Sequence, residues 1–392
     1  MHSFKVLALG LSAALLVACG GGGNGDQSTK VSITSVRVMG DSLSDSGTFD
    51  SLSDASGFGR IFSVQGSDVK IWTELVAASY GVNTLCNYYT ATGTDTPTGI
   101  TKNMTAGCSN YAIGGARINN ALKLPDRNAS PSAVGTQLRE AAVGATYGPR
   151  DLFLIDGGGN DAADLAEAYL YATFGLTGGF DALLNTLVPT RDKTANMSTQ
   201  GTVYMTALAN NFYDSIQASV LDKGASHVAI VNLPGITVTP RFLATLDFAA
   251  SVAEGAKPGT GPAARAAADT QIKNWISVFN AQLKTRAAGN KSVIVVDLNT
   301  EMDNQVKNPA QYGLTNVTTP ACPATGTGVD ATYNFATCTA ATLSAMTPPA
   351  GATGGANWWK TYAFSDGFHP TPYGHKLLAQ LVNKELVLAG WL

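Results

Sequence analysis

The sequence predicts an α/β fold in which a central parallel sheet is covered by helices on both faces. Two observations lead to this prediction. Short runs rich in β-branched residues recur along the chain, and longer segments with helical periodicity separate them. Four such runs are predicted as the central strands, at residues 31–39, 152–156, 227–233 and 292–298.

Three segments have the periodicity of helices that lie against a sheet. They span residues 202–221, 264–288 and 374–388. In the second segment, apolar side chains at three- and four-residue steps form one stripe, which we expect to face the sheet. This stripe consists of Ala268, Ile272, Trp275, Ile276, Phe279 and Leu283.

Two segments lack strand or helix periodicity and are predicted to be surface loops inserted into the fold. Residues 83–106 are dominated by Thr and Gly, and residues 299–357 are rich in Thr, Ala, Pro and Gly. Because the loops at the carboxyl ends of parallel strands form the binding crevice, we expect these insertions to shape a substrate site.

The composition is that of a protein with a large core and little net charge. The chain has 392 residues, of which 45% are hydrophobic, and its formal net charge is −3. Charged residues make up 14% of the chain, well under the roughly 25% of an average soluble domain. We therefore expect a single large domain over residues 31–392 and no nucleic-acid partner.

The first residues have the layout of an export signal. Residues 1–18 contain a single Lys5, an apolar stretch too short to span a bilayer, and small residues at the end. The ending Leu16-Val17-Ala18-Cys19 resembles a bacterial lipoprotein signal. It predicts that Cys19 is lipidated, that residues 19–30 form a flexible tether, and that the protein is anchored to the outer membrane. The alternative is an ordinary secretory signal and a secreted or periplasmic protein.

The remaining cysteines form an even set in what would be an oxidising compartment, so two disulfides are expected. Four cysteines allow three pairings, and the sequence leaves them open. The sequence-local pairing would close two loops rich in Thr, Gly and Pro. A zinc site is disfavoured because the spacings lack short Cys-x-x-Cys steps. The cysteines are Cys86, Cys108, Cys322 and Cys338.

A candidate nucleophile lies where the first predicted strand ends, in Gly40-Asp41-Ser42-Leu43. A serine hydroxyl is a poor nucleophile at neutral pH and needs a base, which in turn needs an anion to hold its tautomer. Asp366-Gly367-Phe368-His369 supplies both groups three positions apart. We therefore predict that Ser42, His369 and Asp366 form a catalytic triad.

Two further motifs offer donors for the oxyanion of a tetrahedral intermediate. In the segment from Asn110 to Ala116, a glycine pair allows the backbone to approach a ligand closely. Asn160 follows the second predicted strand, so its amide can project into the same crevice. Trp358 and Trp359 precede the Asp366 loop and are candidates for an acyl pocket, although loop aromatics more often pack locally.

The content and order of these four blocks resemble the SGNH, or GDSL, hydrolase family. The resemblance extends from residue 35 to the C-terminus and implies a flavodoxin-like three-layer α/β/α sandwich with esterase, lipase or phospholipase activity. It implies that Ser42 is the nucleophile and first oxyanion donor, that Gly115 and Asn160 are the other donors, and that His369 and Asp366 complete the triad. No metal and no cofactor are needed.

The extended first block, from Gly40 to Gly47, resembles secreted and outer-membrane bacterial esterases and lecithinase-like phospholipases. The expected function is therefore hydrolysis of a small-molecule or lipid carboxylic ester through an acyl-Ser42 intermediate. Alternatives are a phospholipase, lysophospholipase or lipid acyltransferase, and a carbohydrate O-deacetylase. A surface-binding lipoprotein with an inactive hydrolase fold is the non-enzymatic alternative. The presence of every expected site residue argues against it.

Overall fold

The computed structural model describes residues 31–50, 61–91, 99–120 and 130–392. The predicted signal, the tether and Cys19 lie outside the described residues. Val31–Leu392 form one compact unit. Within the described ranges, no helix combines the length and the apolar character needed to cross a membrane.

The strands and helices alternate along most of the chain, as predicted. The strands are β1 (Ser35–Met39), β2 (Tyr89–Ala91), β3 (Ile100–Lys102), β4 (Asp151–Ile155), β5 (Val228–Val231), β6 (Val293–Val296), β7 (Ala324–Thr325) and β8 (Thr332–Tyr333). The helices are α1 (Trp72–Ser79), α2 (Val134–Ala141), α3 (Gly159–Thr173), α4 (Gly178–Asn185), α5 (Met197–Ser219), α6 (Pro240–Ala256), α7 (Gly261–Ala287), α8 (Leu298–Lys307), α9 (Ala340–Ala345) and α10 (Pro372–Leu388).

The central sheet has the strand order β1-β4-β5-β6, and every neighbouring pair is parallel. An extended segment around Asn110 continues the sheet beyond β1. The Val38 N–H donates to the Ser109 carbonyl at 3.0 Å, and the Tyr111 N–H donates to the Val38 carbonyl at 2.7 Å. With this segment as the second strand in sequence, the order is the 2-1-3-4-5 of flavodoxin-like folds. The predicted fold class is confirmed.

Both faces of the sheet are buried, because successive strand residues point to opposite sides. On one side Met39, Phe153 and Ile230 pack in a core that the helices α2 to α7 cover. On the other side Val38 and Leu154 pack against α1 and α10. Two-sided burial explains why each strand is apolar along its length, and it leaves the carboxyl ends of the strands as the place for polar chemistry.

The four predicted central strands correspond to β1, β4, β5 and β6, with ends that differ by up to four residues. The three predicted helices correspond to α5, α7 and α10. The two predicted loop segments contain more regular structure than their composition indicates. Residues 83–106 include β2 and β3, which pair as a hairpin. Residues 299–357 include most of α8, the hairpin of β7 and β8, and α9.

The cysteines form the sequence-local pairs, Cys86–Cys108 and Cys322–Cys338. The first disulfide lies beside a buried polar network that holds the chain after β1. Asn87 Nδ2 donates to Asp45 Oδ1 at 2.9 Å, and Asn110 Nδ2 donates to the Ser44 carbonyl at 2.8 Å. The Asn110 N–H donates to the Cys86 carbonyl at 3.1 Å, so the disulfide and the network share one loop.

Removal of the first disulfide is expected to destabilise the protein. In a Cys86→Ala, Cys108→Ala double variant, the loss of a cross-link with a sequence separation of 22 lowers the free energy of unfolding by roughly 2 to 4 kcal/mol. Chemical denaturation under oxidising conditions measures this change. A double variant as stable as the wild type would show that the cross-link does not restrict the unfolded chain.

Candidate active site

The candidate residues come together at the carboxyl edge of the sheet. Ser42 follows β1, and Asn160 lies in the first turn of α3, just after β4. Gly115 follows the extended segment beside β1, and Asp366 and His369 lie in the loop that precedes α10. All five residues line one open cleft of about 500 Å³. The topology thus gathers residues from four separate parts of the chain.

The chain is held closely at Gly40, two residues before Ser42. The Gly40 N–H donates to Gln137 Oε1 at 2.8 Å, and Gln137 Nε2 donates to the Gly40 carbonyl at 3.0 Å. A β-carbon on Gly40 would lie 1.8 Å from Asp156 Oδ1. A side chain at this position would clash with Asp156, so glycine is required, and the amide of Gln137 pairs with both backbone groups of Gly40.

A tight turn then presents Ser42. The Asp45 N–H donates to the Asp41 carbonyl at 3.0 Å, and the Leu43 N–H donates to Asp41 Oδ1 at 3.1 Å. Ser42 itself is 5% exposed. The hydroxyl is thus placed at the end of a strand, on a turn that the N–H groups of Leu43 and Asp45 hold in place.

His369 connects the serine to the aspartate. The distance from His369 Nε2 to Ser42 Oγ is 2.7 Å, and the distance from His369 Nδ1 to Asp366 Oδ2 is 2.8 Å. Burial alone would raise the pKa of Asp366. The neighbouring His369 ring and the backbone N–H groups of Phe368 and His369 outweigh it and lower the pKa, so the carboxylate stays ionised.

Aromatic rings surround the imidazole of His369. The ring centroids of Phe62, Phe335 and Phe368 lie 5.3, 5.8 and 5.8 Å from that of the histidine. These contacts restrict the ring to the plane in which one nitrogen faces Ser42 and the other faces Asp366.

Backbone contacts hold the histidine loop from outside. The Cys322 N–H donates to the Ser365 carbonyl at 2.7 Å, and the Ser365 N–H donates to the His369 carbonyl at 2.8 Å. Ser63 Oγ donates to the Pro370 carbonyl at 2.8 Å. The Cys322–Cys338 disulfide is therefore joined to the loop that carries the histidine by one hydrogen bond, the one from the Cys322 N–H.

Neighbouring side chains fix the backbone of the glycine pair that follows Ile113. The Gly114 N–H donates to Asp45 Oδ2 at 2.8 Å, and a β-carbon on Gly114 would lie 2.1 Å from the ring of Phe62. Gly115 has φ +77° and, unlike Gly114, lines the cleft. Because the N–H of Gly114 is already paired, the arrangement favours Gly115 as the backbone donor to a ligand in the cleft.

An ion pair supports the Gly115 peptide. Arg117 binds both carboxylate oxygens of Asp164, at 2.5 and 2.8 Å. Its Nη1 also donates to the Gly115 carbonyl at 2.8 Å. Arg117 is thus engaged in holding the loop, and it does not line the cleft as a free cation.

Asn160 is also oriented by the protein. Its Nδ2 donates one hydrogen to the Ala116 carbonyl at 3.0 Å, which leaves the second hydrogen of the amide for a group in the cleft. Gly158, which precedes α3, has φ +95°, and a β-carbon on it would lie 2.9 Å from Leu233. The glycines of this block therefore allow the sharp turn that brings Asn160 to the sheet edge.

Asp161 and Asp45 are structural. Asp161 accepts from the N–H groups of Ile118 and Asn119 at 2.9 and 2.8 Å, and burial raises its pKa to about 7. Asp45 accepts from the N–H groups of Gly47 and Thr48 as well as from Gly114. Both aspartates tie the loop that carries Gly115 to neighbouring parts of the site.

Two buried carboxyl groups, Asp41 and Asp156, adjoin each other beneath the nucleophile turn. Burial and the adjacent Asp41 carboxylate raise the pKa of Asp156 well above its ordinary value. Asp156 Oδ1 accepts from the Ser44 hydroxyl, while Asp156 Oδ2 has no hydrogen-bond partner among the described residues. A proton on Asp156 fits this arrangement, since two adjacent carboxylates cannot both ionise in a buried site.

Trp358 and Trp359 do not line the cleft. They pack in a small core with Cys322 and Cys338, and their indole N–H groups donate to the Leu343 carbonyl and to Ser344 Oγ at 3.1 Å. They therefore pack locally.

Sequence reasoning did not identify several residues that shape the site. They are Phe62, Gln137, Asp156 and Phe335. Asp156 could have been recognised, because a carboxylate directly after a buried apolar strand is unusual. The others come from segments with no motif.

Replacing Asp156 by Asn is expected to change how stability depends on pH. In the wild type the folded pKa of Asp156 is raised above the unfolded 3.8, so the folded state binds the extra proton. The contribution of Asp156 to stability is then greatest below pH 3.8 and falls by up to about 1.4 kcal/mol per pH unit as the pH rises toward the folded pKa. An Asn side chain is neutral and has no titrating proton, so Asp156→Asn gains stability relative to the wild type as pH increases.

Thermal unfolding of both proteins at several pH values from 4 to 8 measures this difference. Asp247→Asn, at an exposed carboxylate with side-chain exposure of 66%, is the matched control. A gap in Tm between Asp156→Asn and the wild type that stays constant over this pH range would contradict a proton held on Asp156.

Comparison with known proteins places the chain in a family. No curated protein sequence matches it. The family model described as GDSL-like Lipase/Acylhydrolase matches residues 36–382. This match includes Ser42, Gly115, Asn160, Asp366 and His369, and it covers the whole central sheet except the first residue of β1. The chain therefore belongs to the GDSL-like lipase and acylhydrolase family, a family of ester hydrolases.

Proposed function

We propose that this protein is a serine-dependent carboxylic ester hydrolase that acts through an acyl-Ser42 intermediate. The observation that carries the proposal is the continuous hydrogen-bonded line from Ser42 Oγ through His369 to Asp366, with both distances under 3 Å. Family membership supports hydrolysis of esters, and this geometry supports the serine as the attacking group.

In the first step, His369 Nε2 takes the proton of the Ser42 hydroxyl as Oγ attacks the ester carbonyl. Charge develops on the carbonyl oxygen. The backbone N–H groups of Ser42 and Gly115 and the free hydrogen of the Asn160 amide are the proposed donors to it. Arg117 and Asp161 hold the loop that carries Gly115, so these donors are in place before the substrate arrives.

In the second step, His369 gives its proton to the departing alcohol, and the acyl group remains on Ser42. Water then gives a proton to His369 as it attacks the acyl carbonyl. The bond to Ser42 Oγ breaks, the carboxylic acid leaves, and His369 returns the proton to Ser42. Asp366 accepts from Nδ1 of the imidazole throughout, which holds the tautomer whose Nε2 can accept a proton from serine. The lowered pKa of Asp366 keeps this partner anionic when the imidazole is charged.

Substitutions in the triad test the mechanism. We expect Ser42→Ala and His369→Ala to reduce kcat/KM for p-nitrophenyl esters by about 10⁴-fold or more, and Asp366→Ala to have the mildest effect of the three, because Asp366 orients the base and does not react. Asn160→Ala removes one oxyanion donor and should cost about 100- to 1,000-fold in kcat.

Circular dichroism and thermal unfolding of each variant show whether a loss of activity comes from the catalytic step or from a loss of folded structure. Full activity of folded Ser42→Ala would rule out the acyl-serine route. Turnover of phosphatidylcholine or acetylated polysaccharide, without turnover of p-nitrophenyl esters, would favour a phospholipase or a deacetylase. A folded wild type that reacts with none of these substrates, nor with a fluorophosphonate probe, would favour the binding lipoprotein.

We also propose that the protein is exported and anchored to the outer membrane through lipidated Cys19. The support is the lipoprotein-like ending Leu16-Val17-Ala18-Cys19. The presence of two disulfides in the fold is consistent with an oxidising compartment.

Fatty-acid labelling tests the anchor. When the full chain is expressed in a Gram-negative host fed an alkyne fatty acid, the label should appear on the wild type and be lost in Cys19→Ser. Fractionation should then move the variant from the membrane to the soluble fraction. Equal labelling of both proteins, or none, would contradict lipidation at Cys19.

A further inference from the structure

Two spaces of different character meet at Ser42. One is the open cleft that contains His369, Gly115 and Asn160. The other is a more enclosed cavity, which borders Ser42 and Leu43 but none of those three residues. An ester consists of an acyl half and an alcohol half, so each space can bind one of these halves.

The direction of proton transfer indicates which space holds the alcohol half of the substrate and which holds the acyl half. In the proposed function, His369 Nε2 must deliver a proton to the alcohol oxygen as it leaves. The alcohol half therefore lies on the side of Ser42 where His369 lies, in the open cleft. The acyl half then extends to the other side, where the enclosed cavity begins.

The walls of the cavity suit a hydrocarbon chain. They come from the carboxyl ends of β1, β4 and β5, from the loop after β5 and the loop before α10, and from one side each of α8 and α10. The apolar members include Ile236, Leu298, Met302, Val306, Phe364 and Leu378. Asp41 and Asp156 also border the cavity near Ser42, and the proton that this pair holds leaves it with one negative charge instead of two.

The size of the cavity limits the chain. Its volume is about 60 Å³, which is space for roughly four or five waters. Because a methylene group and a water molecule are of similar size, a short to medium acyl chain fills the cavity, whereas a long fatty acyl chain must extend past α8. Met302 and Val306 lie in that helix and are half-buried.

We propose that this cavity is the acyl subsite, that the preferred substrates are esters of short to medium linear fatty acids, and that Met302 of α8 determines the chain length. The inference rests on the proposed function, since it assumes acyl transfer to Ser42. Butyrate and hexanoate esters are preferred to palmitate esters.

Substitutions of opposite effect at Met302 test the subsite. Met302→Trp fills the cavity, and we expect it to lower the ratio of kcat/KM for p-nitrophenyl hexanoate to that for the acetate by about 10-fold or more. Met302→Ala enlarges the cavity and should raise the relative rate with the longer decanoate and laurate esters. The acetate rate of each variant serves as the reference for its own acyl-length profile, so an effect common to all chain lengths cancels in these ratios.

Lys307→Trp is the matched control, because its side chain is on the same helix, is 65% exposed and does not line the cavity. It should leave the acyl-length profile unchanged. Val329→Trp probes the other space, since Val329 lines the cleft. We expect it to alter discrimination between alcohol groups, such as p-nitrophenyl and glyceryl butyrate, without moving the acyl profile.

The outcomes distinguish this inference from the function on which it rests. If the wild type hydrolyses no ester in a Ser42-dependent manner, the proposed function fails. If acetate hydrolysis depends on Ser42 but both Met302 variants keep the wild-type profile, the function stands and the acyl subsite is overturned. A wild type that prefers palmitate to butyrate also overturns it. If Met302→Trp fails to fold, Met302→Ala decides alone.

Discussion

The close approach of the chain at Gly40 is the constraint on which the site depends. The backbone of Gly40 is paired on one side with the amide of Gln137, and its α-carbon lies against the carboxyl group of Asp156. The direction in which β1 ends is thereby set by two side chains from other parts of the fold. Ser42 follows two residues later, so any movement at Gly40 would move the nucleophile relative to its base.

The site has two supports of different kinds. Ser42, Gly115 and Asn160 are held by the sheet and by buried polar contacts among the loops at its carboxyl edge. The loop of His369 is held by the small core around the Cys322–Cys338 disulfide. The long segment at residues 299–357 is therefore more than a surface insertion, because part of it carries the cysteines and Phe335 that position the base.

The chemistry of the site could be predicted from the sequence because it depends on a few residue types in short motifs. Ser42, Asn160, Asp366 and His369 lie in such motifs, and the apolar runs of the central strands predict a buried parallel sheet. The environment of these residues was not predictable in the same way. Gln137 and Phe62 act through contacts over long sequence distances, and no local pattern marks them.

The cavity beside Ser42 could not be predicted from the sequence either, because its wall also depends on contacts over long sequence distances. Its wall combines residues from β5, α8 and α10, and α8 lies in a segment whose composition resembles a loop. A substrate preference depends on how far these side chains stand apart. The distances between these side chains depend on how entire helices and strands pack, and no single motif determines them.

The hydrogen bond between Ser42 and His369 joins residues 327 positions apart in the sequence. Closing a contact of such high sequence separation costs conformational entropy, and topologies that depend on such contacts fold slowly. The strands that carry Ser42 and Asn160 can pair before the C-terminal loop has docked, but a partly folded chain has no base beside its nucleophile. Recovery of esterase activity during refolding would therefore report completion of the native topology, and it should lag behind the recovery of secondary structure.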